Sequence, residues 1–140
     1  DIVHVSGLMT RIDKDRYTID QLWNTLGDML LEKQGRENVS HYGITLYPKD
    51  WVESGVFYMA AVEGLDADDP ALVSRALPAG GYACFRHEAT EDAVDMLRAE
   101  IYQTWLPKSS KRIAVPLEID VYGDLGYLPN CPRLIYIPII

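Results

Sequence analysis

The chain has 140 residues, 48% of them hydrophobic, and a formal net charge of −8. This length suits one domain, and this hydrophobic content supports a sizeable core, which excludes a globally disordered chain. The longest basic run, KSSKR at residues 108–112, offers no cluster of cations for a phosphate backbone, so we expect no direct nucleic-acid binding. An acidic protein instead favours cationic ligands or simply remains soluble.

The sequence lacks the motifs of several kinds of functional site. Cys84 and Cys131 stand outside any CxxC or Cys/His spacing, and His4, His41 and His87 are far apart. No nucleophile elbow, glycine-rich phosphate loop or HExxH sequence is present. No stretch approaches the roughly 18 apolar residues of a membrane helix, and no signal peptide is visible. We therefore expect no metal, no cofactor, no membrane contact and a cytoplasmic location with reduced thiols.

The first half of the chain predicts one helix and three strands. Residues 2–12 alternate loosely and predict a strand, while residues 42–47 and 56–62 predict a hairpin. Residues 19–33 follow the 3.6-residue period of a helix. The apolar stripe of this helix consists of Ile19, Leu22, Trp23, Leu26, Met29 and Leu30.

After an acidic linker at residues 64–70 the pattern returns. Residues 73–77 and 81–87 predict strands, a helix runs from Thr90 to about residue 106, and strands follow at 113–122 and 134–139. The apolar stripe of the second helix consists of Ala93, Val94, Leu97, Ile101, Tyr102 and Trp105. We predict a single α+β domain over residues 1–140, with pseudo-repeat halves at about 1–70 and 71–140. Tandem β-α-β-β modules would form an antiparallel sheet with two helices and a groove between the halves.

An acidic pair interrupts the strand predicted at residues 113–122. Alternation puts Glu118 and Asp120 on one face of this strand, together with Pro116 and Tyr122, and apolar residues on the other. A solvated face is one interpretation of the pair. The other is a pocket that attracts a cation, because an unpaired carboxylate is costly to bury.

Four segments resemble the GyrI-like, or AraC-type effector-binding, superfamily. They are GGYACFRHEA at 80–89, IYQTWLP at 101–107, the acid-x-Tyr of residues 120–122, and IYIPI at 135–139. The first half agrees through Leu22-Trp23, YGI at 42–44 and the strand before Glu63. The resemblance spans nearly the whole chain and implies a duplicated βαββ fold.

The resemblance also implies a function. Such domains are effector modules of multidrug-responsive transcription regulators and bind lipophilic cations against a buried acid ringed by aromatics. With no helix-turn-helix region in the sequence, the chain resembles a stand-alone member, such as those encoded on integron gene cassettes. The single Glu of the family corresponds here to Asp120, while Glu118 lies one pleat earlier, so either acid could meet the ligand.

The predicted ligand-binding set combines these acids with aromatic side chains. A cation over an aromatic face gains about 0.5–2 kcal/mol. Trp51 lies in a predicted loop, where an indole could cover a pocket. The complete predicted set is Glu118, Asp120, Trp51, Tyr58, Tyr82, Phe85, Trp105, Tyr122 and Tyr136.

Three functions fit these residues. The first is a binding module for small lipophilic cations, as a monomer or homodimer, which sequesters them or acts through a separate transcription regulator. The second is a small-molecule hydrolase in which the pocket acid is a general base. The third is an acidic inhibitor of gyrase-inhibitor type that docks onto a basic protein.

Overall fold

The computed structural model describes residues 3–12, 17–33, 41–48, 55–63, 72–87, 91–123 and 133–140. The elements in these ranges are β1 (His4–Arg11), α1 (Tyr17–Lys33), β2 (His41–Leu46), β3 (Phe57–Glu63), β4 (Val73–Ala76), β5 (Gly81–His87), α2 (Glu91–Ala99), β6 (Leu117–Gly123) and β7 (Arg133–Ile139). A π-helical turn (Glu100–Trp105) and a short α3 (Leu106–Lys108) extend α2. The predicted α+β class and the predicted order of elements are confirmed.

The seven strands of the described residues join one antiparallel sheet in the order β4-β1-β3-β2-β6-β7-β5. The order is symmetric about the β2–β6 pair: β1, β3 and β2 on one side correspond to β5, β7 and β6 on the other. This symmetry is the predicted duplication of β-α-β-β modules. The remaining strand, β4, pairs with the outer edge of β1.

The start of the sixth strand differs from the prediction. Ile113 makes an isolated bridge with Ile139, the chain bends at residues 114–116, and β6 begins only at Leu117. The prediction of a continuous strand from residue 113 was therefore wrong. The physical reason is that Pro116 has no N–H to donate to the hydrogen bonds of a sheet. The predicted alternation from Leu117 onward is confirmed by the register of β6 against β2 and β7.

Both helices pack on the same face of the sheet. Directly opposed residues of neighbouring strands share a face, and Thr45 opposes both Tyr58 on β3 and Glu118 on β6. The α1 side chains Trp23 and Leu26 are buried against Tyr58 and its neighbours. Side chains of α2 and its π-helical turn pack on Ile135 and Ile137 of β7, and Ile135 opposes Asp120. The β2–β6 seam therefore runs between the two helices.

The opposite face of the sheet is concave. The two edge strands β4 and β5 are joined by residues 77–80 alone. Six strand spacings of a flat sheet would separate them by about 29 Å, whereas the connection spans at most about 18 Å. The sheet must therefore curve, and Leu77 from the connection packs on Val5, Ile44 and Ile119.

The π-helical turn ends at Trp105, two residues before Pro107. Inside an α-helix a proline cannot donate to the carbonyl four residues earlier, and its ring crowds that carbonyl. A wider turn at this point accommodates the ring without ending the helix.

In the ranges that the model describes, no helix is long and apolar enough to cross a membrane.

Candidate functional site

Glu118 is a buried carboxylate at the seam of the two halves. The residue is 2% exposed and lies on the helix-bearing face of β6. Its Oε1 accepts a hydrogen bond of 2.7 Å from the Tyr102 hydroxyl, and its Oε2 accepts one of 3.0 Å from Arg98 Nε. The Tyr47 hydroxyl donates a longer one, 3.4 Å, to Oε1. Both carboxylate oxygens therefore have partners, as a buried charge requires.

The second helix supplies two of the three donors. Arg98 lies near the end of α2 and Tyr102 within the π-helical turn. Their spacing of four residues puts both side chains on one side of the helix. Leu97 and Ile101 pack into the core beside them, so the donors lie at the border of the apolar stripe, over the sheet.

A cavity of about 450 Å³ lies beside this carboxylate. Its lining residues are Tyr47, Arg98, Tyr102, Ile113, Pro116, Leu117 and Glu118. One wall is the bend before β6, which is held by backbone hydrogen bonds from Ala114 to Pro138 and from Tyr47 to Pro116. The cavity has the size of a small-molecule site, with one ion pair and two tyrosine hydroxyls among apolar surfaces.

Burial and the charge of Glu118 change the pKa values of these three donors. Burial first, and then the adjacent carboxylate, raise the pKa of Tyr47 to about 12. The same two causes raise the pKa of Tyr102. Burial alone would lower the pKa of Arg98, but Glu118, with smaller contributions from Tyr47 and Asp120, raises it instead. The hydroxyls stay protonated and the guanidinium stays charged at neutral pH.

The two predicted acids differ in their surroundings. Asp120 lies on the same face of β6, opposite Gly43 and Ile135. It is only partly buried and does not line the cavity. Glu118 is the acid that does.

Three predicted aromatics lie on the helix-bearing face, in the core. Tyr58 is 6% exposed and accepts a 3.0 Å hydrogen bond from Trp23 Nε1 beneath α1. Trp105 of the π-helical turn meets Phe85 of β5 edge to face, with ring centroids 5.1 Å apart, between the second helix and the sheet. These side chains hold the helices on the sheet and do not line the Glu118 cavity.

Two others lie on the concave face. Tyr136 opposes Ile119 on β6, so its ring and Glu118 are on opposite sides of the sheet. Tyr82 meets Tyr136 edge to face at 6.2 Å and donates a hydrogen bond to the Pro78 carbonyl. Both tyrosines line a second cavity of about 280 Å³, with Val3, Tyr42, Leu77, Pro78, Ile119 and Val121. The structure does not bring them to the acid.

Trp51 and the side chain of Tyr122 lie outside the described residues. The predicted set omitted Arg98, Tyr47 and Tyr102, which meet Glu118. Tyr102 was predicted on the apolar stripe of the second helix. The four-residue spacing of Arg98 and Tyr102 was the one available indication that both could reach the same strand.

A family model described as the GyrI-like small molecule binding domain matches residues 3–139. The chain belongs to this family. A search of curated proteins found no significant match. In the described part of the chain, no three His, Cys, Asp or Glu side chains come together as a metal site would require.

Solved structures with this fold include two proteins of similar length. An integron cassette protein from the mobile metagenome of Vibrio cholerae is 13% identical, with TM-score 0.64, over 100% of this chain and 92% of that one. SAV2435, solved bound to tetraphenylphosphonium, is 16% identical, with TM-score 0.67, over 99% of this chain and 89% of that one.

A third similar structure is the C-terminal domain of EcmrR. It is 12% identical, with TM-score 0.72, over 99% of this GyrI-like domain and 92% of that chain. A longer EcmrR chain has been solved in a complex with DNA, and the match covers 53% of it. At these identities the likeness establishes the shared fold.

Proposed function

We propose that this GyrI-like domain binds lipophilic organic cations in the Glu118 cavity. The observation that carries the proposal is a carboxylate, 2% exposed, that lines a cavity of about 450 Å³ between apolar and tyrosine surfaces. A buried carboxylate attracts a cation strongly because little water screens the interaction. Tyrosine rings beside it add area and a favourable electrostatic face for a cation.

Three further observations support a small molecule as the ligand, and one of them supports a cation. The family is one of small-molecule binding domains. A protein of the same fold, SAV2435, has been solved with tetraphenylphosphonium, a lipophilic cation. The size of the cavity is within the usual range of about 300–1,000 Å³ for small-molecule sites.

The geometry supports binding over hydrolysis. A general base needs a free oxygen within hydrogen-bonding reach of the attacking water. Oε1 of Glu118 already accepts hydrogen bonds from both Tyr102 and Tyr47, and Oε2 is paired with the charged Arg98 guanidinium. A carboxylate held this way provides charge complementarity better than it abstracts a proton.

Calorimetric titration tests the proposal with two ions of matched shape. Tetraphenylphosphonium and tetraphenylborate share size and surface but carry opposite charges, so an apolar cavity without charge selectivity would bind both alike. We expect binding of the cation and little binding of the anion. Glu118→Gln should weaken cation binding at least about tenfold, which corresponds to about 1.4 kcal/mol.

The control is Glu100→Gln, which removes the same charge from an exposed position on the π-helical turn. It should leave the affinity unchanged within about twofold, because exposed charges contribute little. Equal binding of the two ions, or equal loss in both variants, would contradict a role for Glu118. Absence of binding by either ion would contradict the cavity as a site for this class of compound.

A further inference from the structure

Arg98 stands where a bound cation would stand. Its Nε lies 3.0 Å from Glu118 Oε2, and its side chain lines the same cavity. The pair is close and partly enclosed, which strengthens a charge-assisted hydrogen bond. With Arg98 in place, the charge of Glu118 is already matched within the cavity.

A second acid lies on the outer side of the same guanidinium. Arg98 Nη1 is 3.9 Å from Asp95 Oδ1, about one helical turn earlier on α2. The Asp95 side chain is 69% exposed and that of Arg98 is 37% exposed, against 3% for Glu118. The guanidinium therefore lies between a buried acid and an exposed one, and one edge of it reaches solvent.

We propose, on the basis of the function proposed for the Glu118 cavity, that Arg98 is an internal counter-ion that competes with cationic ligands. A ligand cation that pairs with Glu118 displaces the guanidinium outward to Asp95 and solvent. Because Asp95 receives it, the displaced arginine does not become an unpaired charge. Only cations that bring enough apolar surface into the cavity offset the loss of the Arg98–Glu118 pair. Arg98 thereby sets a threshold that selects large lipophilic cations over small ones.

Substitution of Arg98 tests this competition directly. Arg98→Met keeps a long apolar stem without the charge, and Arg98→Lys keeps the charge. We expect Arg98→Met to bind tetraphenylphosphonium at least about tenfold more tightly than the unmodified chain. Arg98→Lys should stay within about threefold of it, since the competing charge remains. Arg86→Met, an exposed arginine on β5, is the matched control and should leave the affinity unchanged.

Substitution of Asp95 should change the affinity for the cation in a way that a purely structural role of Arg98 would not produce. Asp95→Asn should weaken cation binding about twofold, because the displaced arginine loses an exposed helical partner. In the Arg98→Met background the same change should have no effect. An equal effect of Asp95→Asn in both backgrounds would overturn the transfer to Asp95.

A spectroscopic measurement on the unmodified chain remains informative if Arg98→Met fails to fold. The Arg98 Nε–H resonance, identified by its loss in Arg98→Lys, should exchange slowly with solvent when it donates to Glu118. Saturation with tetraphenylphosphonium should move it and speed its exchange. An unchanged resonance in a chain that binds the cation would overturn the displacement while the proposed function stands. Absence of cation binding in the unmodified chain and every variant would overturn both proposals.

Discussion

The hydrogen bond from Tyr102 to Glu118 can be tested by its contribution to stability. Tyr102→Phe removes the hydroxyl that lies 2.7 Å from Oε1 and keeps the ring. The loss leaves that oxygen with the longer 3.4 Å contact of Tyr47, which is close to the limit of a hydrogen bond. Because the acceptor is charged and buried, we expect a loss of about 2 kcal/mol in the free energy of unfolding.

The assay is urea denaturation followed by tryptophan fluorescence, with thermal unfolding beside it. A loss of about 2 kcal/mol corresponds to a fall of roughly 8 °C in Tm for a domain of this size. Tyr47→Phe is the matched control and should lose less than about 1 kcal/mol, because its contact is longer. In a Glu118→Gln background the cost of Tyr102→Phe should fall to about 1 kcal/mol, since the acceptor is then neutral.

Two results would refute this reasoning. If Tyr102→Phe costs no more than Tyr47→Phe, the shorter contact does not hold the carboxylate. If the cost is unchanged by Glu118→Gln, the Tyr102 hydroxyl stabilises the protein through a contact other than the charge of Glu118.

Two further predictions concern the fold and its alkaline limit. A side chain at Gly7 would collide with the Ala60 carbonyl oxygen, whereas one at Gly27 on α1 meets nothing within 4 Å. Gly7→Ala should therefore destabilise the domain by more than about 3 kcal/mol, and Gly27→Ala should stabilise it by about 0.5–1 kcal/mol. Denaturation of both variants checks this, and similar effects at the two sites would contradict the close approach of β1 and β3. The pKa of Tyr47 rises from 10.0 to about 12 on folding, so its stabilising contribution is present below pH 10 and is lost as pH rises to 12. The stability of the unmodified chain relative to Tyr47→Phe should fall by about 1 kcal/mol across this window, which is less than the full pKa shift implies because Tyr47 is partly exposed; a constant difference would contradict the shift.

The sequence by itself determined the order of the elements and the position of the acids. Apolar periods of two and of 3.6 identified the strands and helices, because each period exposes one face to the core. Alternation along β6 put Glu118 and Asp120 on one face, and the register of the sheet confirms it. The family resemblance, carried by short segments in a fixed order, agrees with the family match over residues 3–139.

Only the tertiary structure decided which side chains meet the acid. The side of the sheet on which Tyr82 and Tyr136 lie depends on the register of β5, β7 and β6, and a shift of one residue would reverse it. The aromatic residues Tyr58, Phe85 and Trp105 suited a pocket by composition, but they pack between the two helices and the sheet. The composition of the chain contains no information about that choice.

The arginine is the clearest example. Apart from the four-residue spacing between Arg98 and Tyr102, nothing in the sequence near Arg98 indicates a buried partner, because Glu118 is twenty residues away on a strand. The helix brings the two together through its rotation on the sheet, which core side chains such as Ile101 set, and through the π-helical turn that orients Tyr102. Periodicity identifies the apolar side of a helix, but which polar residues at the border of that side reach a given strand depends on how the helix packs.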